Sequence, residues 1–169
     1  MILYPKIILN KVEEINIEFL KKNKIKALIL DVDNTLIDTD KNLSDSVINW
    51  TKELMGQGVK LYILSNSHRI KKVKNVAEKL NIDNYFYLAK KPSKSGFKKI
   101  QKLLNINSEN IGVVGDQIFT DVLGGNRCNM YTILVEPIDK KDIWITKIKR
   151  PIEEMIKNKY KETLTKEKE

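Results

Sequence analysis

LILDVDNTLIDTD, residues 28–40, is the stretch on which the fold turns. The run Ala27, Leu28, Ile29 and Leu30 is apolar without alternation, as in a strand buried on both faces. It stops at Asp31. A second carboxylate, Asp33, follows two positions later, with Asn34 and Thr35 behind it. Taken alone, the cluster reads as a turn after a strand, because Asp and Asn favour turns. Two carboxylates at the tip of a buried strand are also expensive to desolvate unless a partner offsets the cost. The rest of the chain therefore decides between a turn and a site.

Strand-length apolar runs recur at Ile25–Leu30, Val59–Leu64, Tyr85–Leu88, Ile111–Val114 and Tyr131–Val135. Segments of helical period lie between them. Ser44 is placed to cap a helix that buries Val47, Trp50 or Thr51, and Leu54. A second carries Ile70, Val73, Ala77 and Leu80. A third follows Ser93 or Ser95 and carries Phe97, Ile100, Leu103 and Leu104. A fourth runs from Phe119 through Val122 and Leu123. Alternation of this kind predicts an α/β fold, a Rossmann-like three-layer sandwich with a five-stranded parallel sheet. The whole chain, 1–169, reads as a single domain with its core at about residues 25–136. C-terminal helices are expected over 139–161, followed by a frayed polar tail at 162–169.

Composition narrows the function classes. The net charge is +9, but 28 Lys against 3 Arg, spread along the chain, look like a general bias. Arg is the residue of bidentate phosphate and base readout, so nucleic acid has weak support as a partner. Cys128 is the sole cysteine, which excludes an internal disulfide, and its expected place is the core. Pro5, Lys6 and Lys11 break the N-terminal apolar stretch, so no secretory leader is read there. The apolar runs fall well short of the roughly 20 residues that a spanning helix needs. The expected location is the cytoplasm. Peripheral contact with the inner face of an anionic membrane is allowed through the Ile-, Trp- and Met-bearing C-terminal helices and their lysines.

Ligands of an open parallel sheet bind beyond the carboxyl ends of its strands. The polar residues gather at those ends: Asp31, Asp33, Asn34 and Thr35 after the first strand, Ser65 and Asn66 after the second. Lys90 and Lys91 before Pro92 follow the third, and Gly115, Asp116 and Asp121 follow the fourth. Carboxylates crowded in one crevice raise each other's pKa unless cations are present. An all-oxygen donor set suits Mg²⁺, and a single histidine, His68, speaks against zinc. Its expected place is exposed helix surface near the mouth of the site. A lysine and a hydroxyl beside the metal complete the parts of a phosphoryl-transfer site.

The ordered set DVDNT, SN, KP and GD with Asp121 resembles the haloacid-dehalogenase (HAD) superfamily of phosphatases. DVDNTL, SNS, AKKP and GDQIFTD also resemble its YqeG-like type IIIA group, which is similar to mitochondrial-type phosphatidylglycerophosphate phosphatases. The resemblance implies roles. Asp31 would attack phosphorus and form an aspartyl-phosphate. Asp33 would act as acid and then base. Mg²⁺ would be held by Asp31, the Asp33 carbonyl and Asp116, with Asp121 as a further ligand or an orienting group. Ser65 and Asn66 would hold phosphate oxygens, and Lys91 would neutralise Asp31 and the phosphate. Lys90 competes for that last role, and only the proline favours Lys91.

Residues 34–64 and 66–90 have room for little beyond a helix and a strand each, so no cap domain is expected and the site should be open. An open site suits a large phosphorylated substrate, and the resemblance implies a lipid head group, phosphatidylglycerophosphate, as the leading choice. The alternatives are nucleic-acid ends, phosphoproteins, or a non-enzymatic scaffold binding RNA or a ribosomal particle. Receiver domains share the Asp, hydroxyl and Lys, yet lack an acid/base two residues after the acceptor, where Asp33 stands.

Overall fold

β2 (Ala27–Leu30), the strand that ends in Asp31, lies at the centre of the sheet in the computed structural model, which describes residues 2–139 and 154–161. In chain order the strands are β1 (Ile7–Leu9), β2, β3 (Lys60–Leu64), β4 (Tyr85–Phe86), β5 (Ile111–Gly115) and β6 (Tyr131–Val135). They form one sheet in the order β1-β6-β5-β2-β3-β4, parallel throughout. The helices are α1 (Ile17–Lys22), α2 (Asp45–Gly56), α3 (Ile70–Lys79), α4 (Lys94–Leu104) and the short α5 (Leu123–Arg127).

Side chains alternate across each strand and so feed two separate layers. Leu28, Leu30, Leu61 and Ile63 meet Trp50 and Leu54 of α2 and Val73 and Ala77 of α3 on one face. Ala27, Ile29, Tyr62 and Leu64 meet Phe97, Ile100 and Leu104 of α4, with Cys128, on the other. Ser44 caps α2 by accepting from the Val47 N–H at 3.3 Å. Ser93, rather than Ser95, caps α4. The Trp50 indole donates to the Ile15 carbonyl at 2.9 Å, which ties α2 to the N-terminal segment.

The sheet has six strands among the described residues, one more than the five read from the sequence. β1 is a three-residue edge strand paired with β6. Ile70 and Leu103 sit on their helices but face outward, 46% and 55% exposed, while Val76 takes the buried place beside Val73. His68 is exposed, on the loop ahead of α3 rather than on a helix.

Among the described residues no cap domain interrupts the sheet and its helices. Residues 33–43 make a small flap, pinned by bridges from Asp33 to Ile37 and from Ile37 to Leu43. At the other end, residues 154–161 are helical. Ile156 is buried against Ile118, Val122 and Leu134, whereas Met155 is 63% exposed, so the two do not share a buried face. The Tyr160 hydroxyl donates to the Lys6 carbonyl at 2.8 Å, and its ring stands edge-on to Tyr4. The remainder of the expected C-terminal helices, with Ile143, Trp144, Ile145, Ile148 and Ile152, and the tail at 162–169, lie outside the described residues. Among the described residues no helix is long and apolar enough to cross a membrane.

Candidate active site

Register brings the strand tips level. Leu30 of β2 pairs with Ile63 of β3 on one side and Val114 of β5 on the other. The chain therefore leaves β2, β3 and β5 at one edge, where the strand order reverses and a crevice opens. Asp31, Ser65 and Asp116 emerge there side by side.

Lys91 is the centre of the arrangement. Its side chain is 3% exposed, and Nζ donates to Asp31 Oδ1 and to Asp121 Oδ1, each at 2.7 Å. This decides between the two candidate lysines, because Lys90 is exposed. Burial opposes the charge on Lys91, but Asp121 and Asp31 more than offset it and hold the ammonium above its ordinary pKa. Asp121 is carried on a π-helical turn, residues Ile118–Val122. Its other oxygen accepts from the Gln117 N–H and the Thr120 hydroxyl, both at 3.3 Å. Gly115 is required by this packing, since a Cβ there would stand 2.2 Å from the Asp121 carboxyl carbon.

Asp31, Asp116 and Asp121 form an acidic triad, with one ligand atom from each lying within 4.8 Å of the others. The Thr35 hydroxyl sits between Asp31 Oδ2 at 3.5 Å and Asp116 Oδ1 at 3.4 Å. Burial pushes Asp31 up to about 6, against the pull of Lys91, with the charge of Asp121 adding to it. Burial, then Asp31 and Asp121, push Asp116 well above the usual carboxylate range. Three carboxylates against one ammonium leave surplus negative charge on oxygen donors. That surplus is the chemistry of a hard divalent cation site.

Asp33 does not join the triad. Its carboxylate, 49% exposed, is gripped at both oxygens, 2.5 and 2.8 Å, by Lys72 Nζ from α3. Ser65 is 1% exposed; its Oγ accepts from the Ser67 N–H at 3.1 Å, leaving its own proton to donate. The Asn66 amide clasps the backbone of Lys91. Oδ1 accepts from the Lys91 N–H at 2.7 Å and Nδ2 donates to the Lys91 carbonyl at 3.1 Å. Asn34, at φ 60°, turns the flap, and its carbonyl and side-chain oxygen accept from the N–H groups of Ile138 and Asp139.

Asp31, Asp116, Asp121, Lys91, Ser65 and Asn66 thus share one edge, and Asp33 stands beside them. Sequence reasoning missed two things: Lys72 as the partner of Asp33, and the grip of Asn66 on Lys91. Lys72 stands seven residues after Ser65 on α3, a helix the periodicity had already marked. That placement was the available signal.

A sequence model of the family described as mitochondrial PGP phosphatase matches residues 1–139. The chain belongs to this family. Probable phosphatase YqeG of Bacillus subtilis is 39% identical over 140 residues, covering 82% of this chain and 80% of that protein. The chloroplastic/mitochondrial phosphatidylglycerophosphate phosphatase 1 of Arabidopsis thaliana is 26% identical over 154 residues, and the match spans 42% of its length. Among solved structures, an uncharacterized protein from Listeria monocytogenes has the same fold. Its TM-score is 0.56 at 20% identity, over 70% of this chain and 85% of that one. A cobalt-bound deoxy-D-mannose-octulosonate 8-phosphate phosphatase from Haemophilus influenzae aligns with a TM-score of 0.50 at 21% identity, over 57% of this chain and 61% of that one. This PGP phosphatase family member is a YqeG-like HAD phosphatase, a phosphoric monoester hydrolase with an acidic triad at its strand tips.

Proposed function

We propose that this phosphatase hydrolyses the terminal phosphate of phosphatidylglycerophosphate, through an aspartyl-phosphate on Asp31 and with Mg²⁺. The observation that carries the reading is the Lys91 ammonium shared by Asp31 and Asp121 next to Asp116. Asp31, the Asp33 carbonyl, Asp116 and Asp121 would hold the ion, and Mg²⁺ would draw negative charge off the phosphoryl oxygens. Among this chain's own groups, an Asp31 oxygen attacks phosphorus as the ester bond to the glycerol oxygen breaks. Asp33, turned from Lys72 toward the crevice, gives that oxygen a proton. It then takes a proton from the water that hydrolyses the acyl phosphate, which releases inorganic phosphate and restores Asp31. The Ser65 hydroxyl, and the amide hydrogen of Asn66 not used on Lys91, donate to phosphoryl oxygens. Lys91 keeps Asp31 oriented and neutralises charge as the intermediate forms.

The open crevice and the name of the Arabidopsis relative support this choice of substrate. A site without a cap cannot enclose a small metabolite, but it can take a phosphate presented at a lipid surface. The test is phosphate release by the purified full chain from dispersed phosphatidylglycerophosphate, glycerol 3-phosphate, an aryl phosphate and a 5′-phosphorylated oligonucleotide, each with Mg²⁺ and with EDTA. The lipid should be turned over best, chelation should stop it, and Asp31→Asn should reduce it at least 10³-fold, a drop of about 4 kcal/mol in transition-state stabilisation. Undiminished release by Asp31→Asn would overturn the mechanism. A preference for the oligonucleotide would overturn the substrate.

A further inference from the structure

Beside Asp33 the surface opens into a groove of about 600 Å³ between the flap and α3. Lys41 and Leu43 line it from the flap, and Arg69, Ile70, Lys72 and Lys79 from the α3 side. Among the described residues none that lines it is acidic. Among the described residues, Lys41, Arg69 and Lys79 have no ion-pair partner, although the chain carries 22 Asp and Glu. Ile70, 46% exposed, puts an apolar side chain among these cations. Lys72 lines the groove and also grips Asp33, so one side chain links the groove to the edge that carries the acidic triad.

We infer that this groove binds the part of the substrate that is not hydrolysed: a phosphodiester anion that bears an apolar tail. The inference rests on the phosphatase reading above and adds the surface that selects the substrate. A phosphodiester matches unpaired Arg and Lys side chains, with Arg69 able to take two of its oxygens. Acyl carbons match Leu43 and Ile70. A nucleic-acid strand offers the same phosphodiester, but it binds through successive aromatic platforms, and among the described residues that line the groove His68 alone carries an aromatic ring, with no Phe, Tyr or Trp beside it. Lys72 is the specificity residue at the junction. Drawn to the incoming anion, it would free the Asp33 oxygens to face the leaving group, so the correct substrate would help assemble the site.

The probe is dihexanoyl phosphatidylglycerol below its micelle concentration, which carries the diester and short tails but no monoester. It is titrated into the ¹⁵N-labelled full chain and followed by amide shifts. Shifts should concentrate at residues 41–43 and 69–79. Arg69→Ala with Lys79→Ala should weaken binding at least tenfold, and higher salt should weaken it further. The same double variant should lower the ratio of kcat/KM for the lipid to that for an aryl phosphate at least tenfold, mainly through KM. Shifts elsewhere, equal binding of dihexanoyl phosphatidylcholine, or tighter binding of an oligonucleotide would each overturn the groove. Failure of the phosphatase reading would look different: the probe would bind at these residues while no phosphate is released from any ester.

Discussion

Lys91 has three ammonium donors, and two are committed to buried carboxylates that would otherwise repel each other. Replacing it by Met leaves Asp31 and Asp121 facing one another in a dry site. We expect Lys91→Met to destabilise the fold by about 3–5 kcal/mol near neutral pH, as for other broken buried pairs, read from urea unfolding. The loss should shrink as pH falls, because protonated Asp31 no longer needs the ammonium. Asp31 gives the wild type its own pH signature. Its carboxyl ordinarily titrates at 3.8 and here is raised to about 6. A raised carboxylate contributes stability that is complete below the unfolded value and is lost as pH climbs through the folded one, about 3 kcal/mol for a displacement of this size. Binding a divalent cation beside ionised Asp31 reverses that penalty. Added Mg²⁺ should therefore raise Tm more at about pH 7.5 than at about pH 5, where Asp31 holds a proton that the ion must displace. An equal Tm rise at both pH values would contradict the placement of the ion on these carboxylates.

At the scale of elements, the catalytic edge was legible because two signals coincide in the sequence. Apolar runs of strand length end abruptly, and each ends in residues costly to bury, as at Leu30–Asp31 and Gly115–Asp116. What escaped lacked one of the two. β1 is three residues long, follows Pro5 and Lys6, and gains its identity from pairing with β6, a partner more than 100 residues away. Lys72 is one of 28 lysines, and only the setting of α3 against the flap gives it Asp33. Ile70 and Leu103 fit the helical period, yet the sheet cannot cover the full width of either stripe. Asn66 shows how one element holds another. Its amide joins the loop after β3 to the loop before α4 by two hydrogen bonds, and so fixes the backbone from which Lys91 reaches Asp31. Asn66→Ala should cost about 1–3 kcal/mol of stability, since it strips both partners from the Lys91 backbone. It should also lower kcat roughly tenfold or more by loosening the lysine. A variant that lost affinity for phosphate while keeping kcat would show that Asn66 acts on the ligand alone.

Across the whole molecule, the π-helical turn that carries Asp121 is backed by residues from both ends of the chain. Ile118 and Val122 of that turn pack with Leu134 of β6, with Ile156, and with Leu3, Tyr4 and Ile8 near the N-terminus. The helix at 154–161 therefore supports the acidic triad from behind. Its inward face is Ile156 and Tyr160, and its outward face carries Met155. Neighbouring residues on one helix thus have opposite environments, which makes a controlled comparison. Ile156→Ala should destabilise the protein by about 2–4 kcal/mol, in the range for a truncated buried aliphatic side chain, and should weaken divalent-cation binding severalfold as the turn loses its backing. Met155→Ala, on an exposed side chain, should stay within about 0.5 kcal/mol and leave cation binding alone. Thermal melts with and without Mg²⁺ on the two variants separate these outcomes. Were Met155 the costly position and Ile156 the silent one, the helix would face the protein through its other side, and the link from the C-terminal helix to Asp121 would be lost.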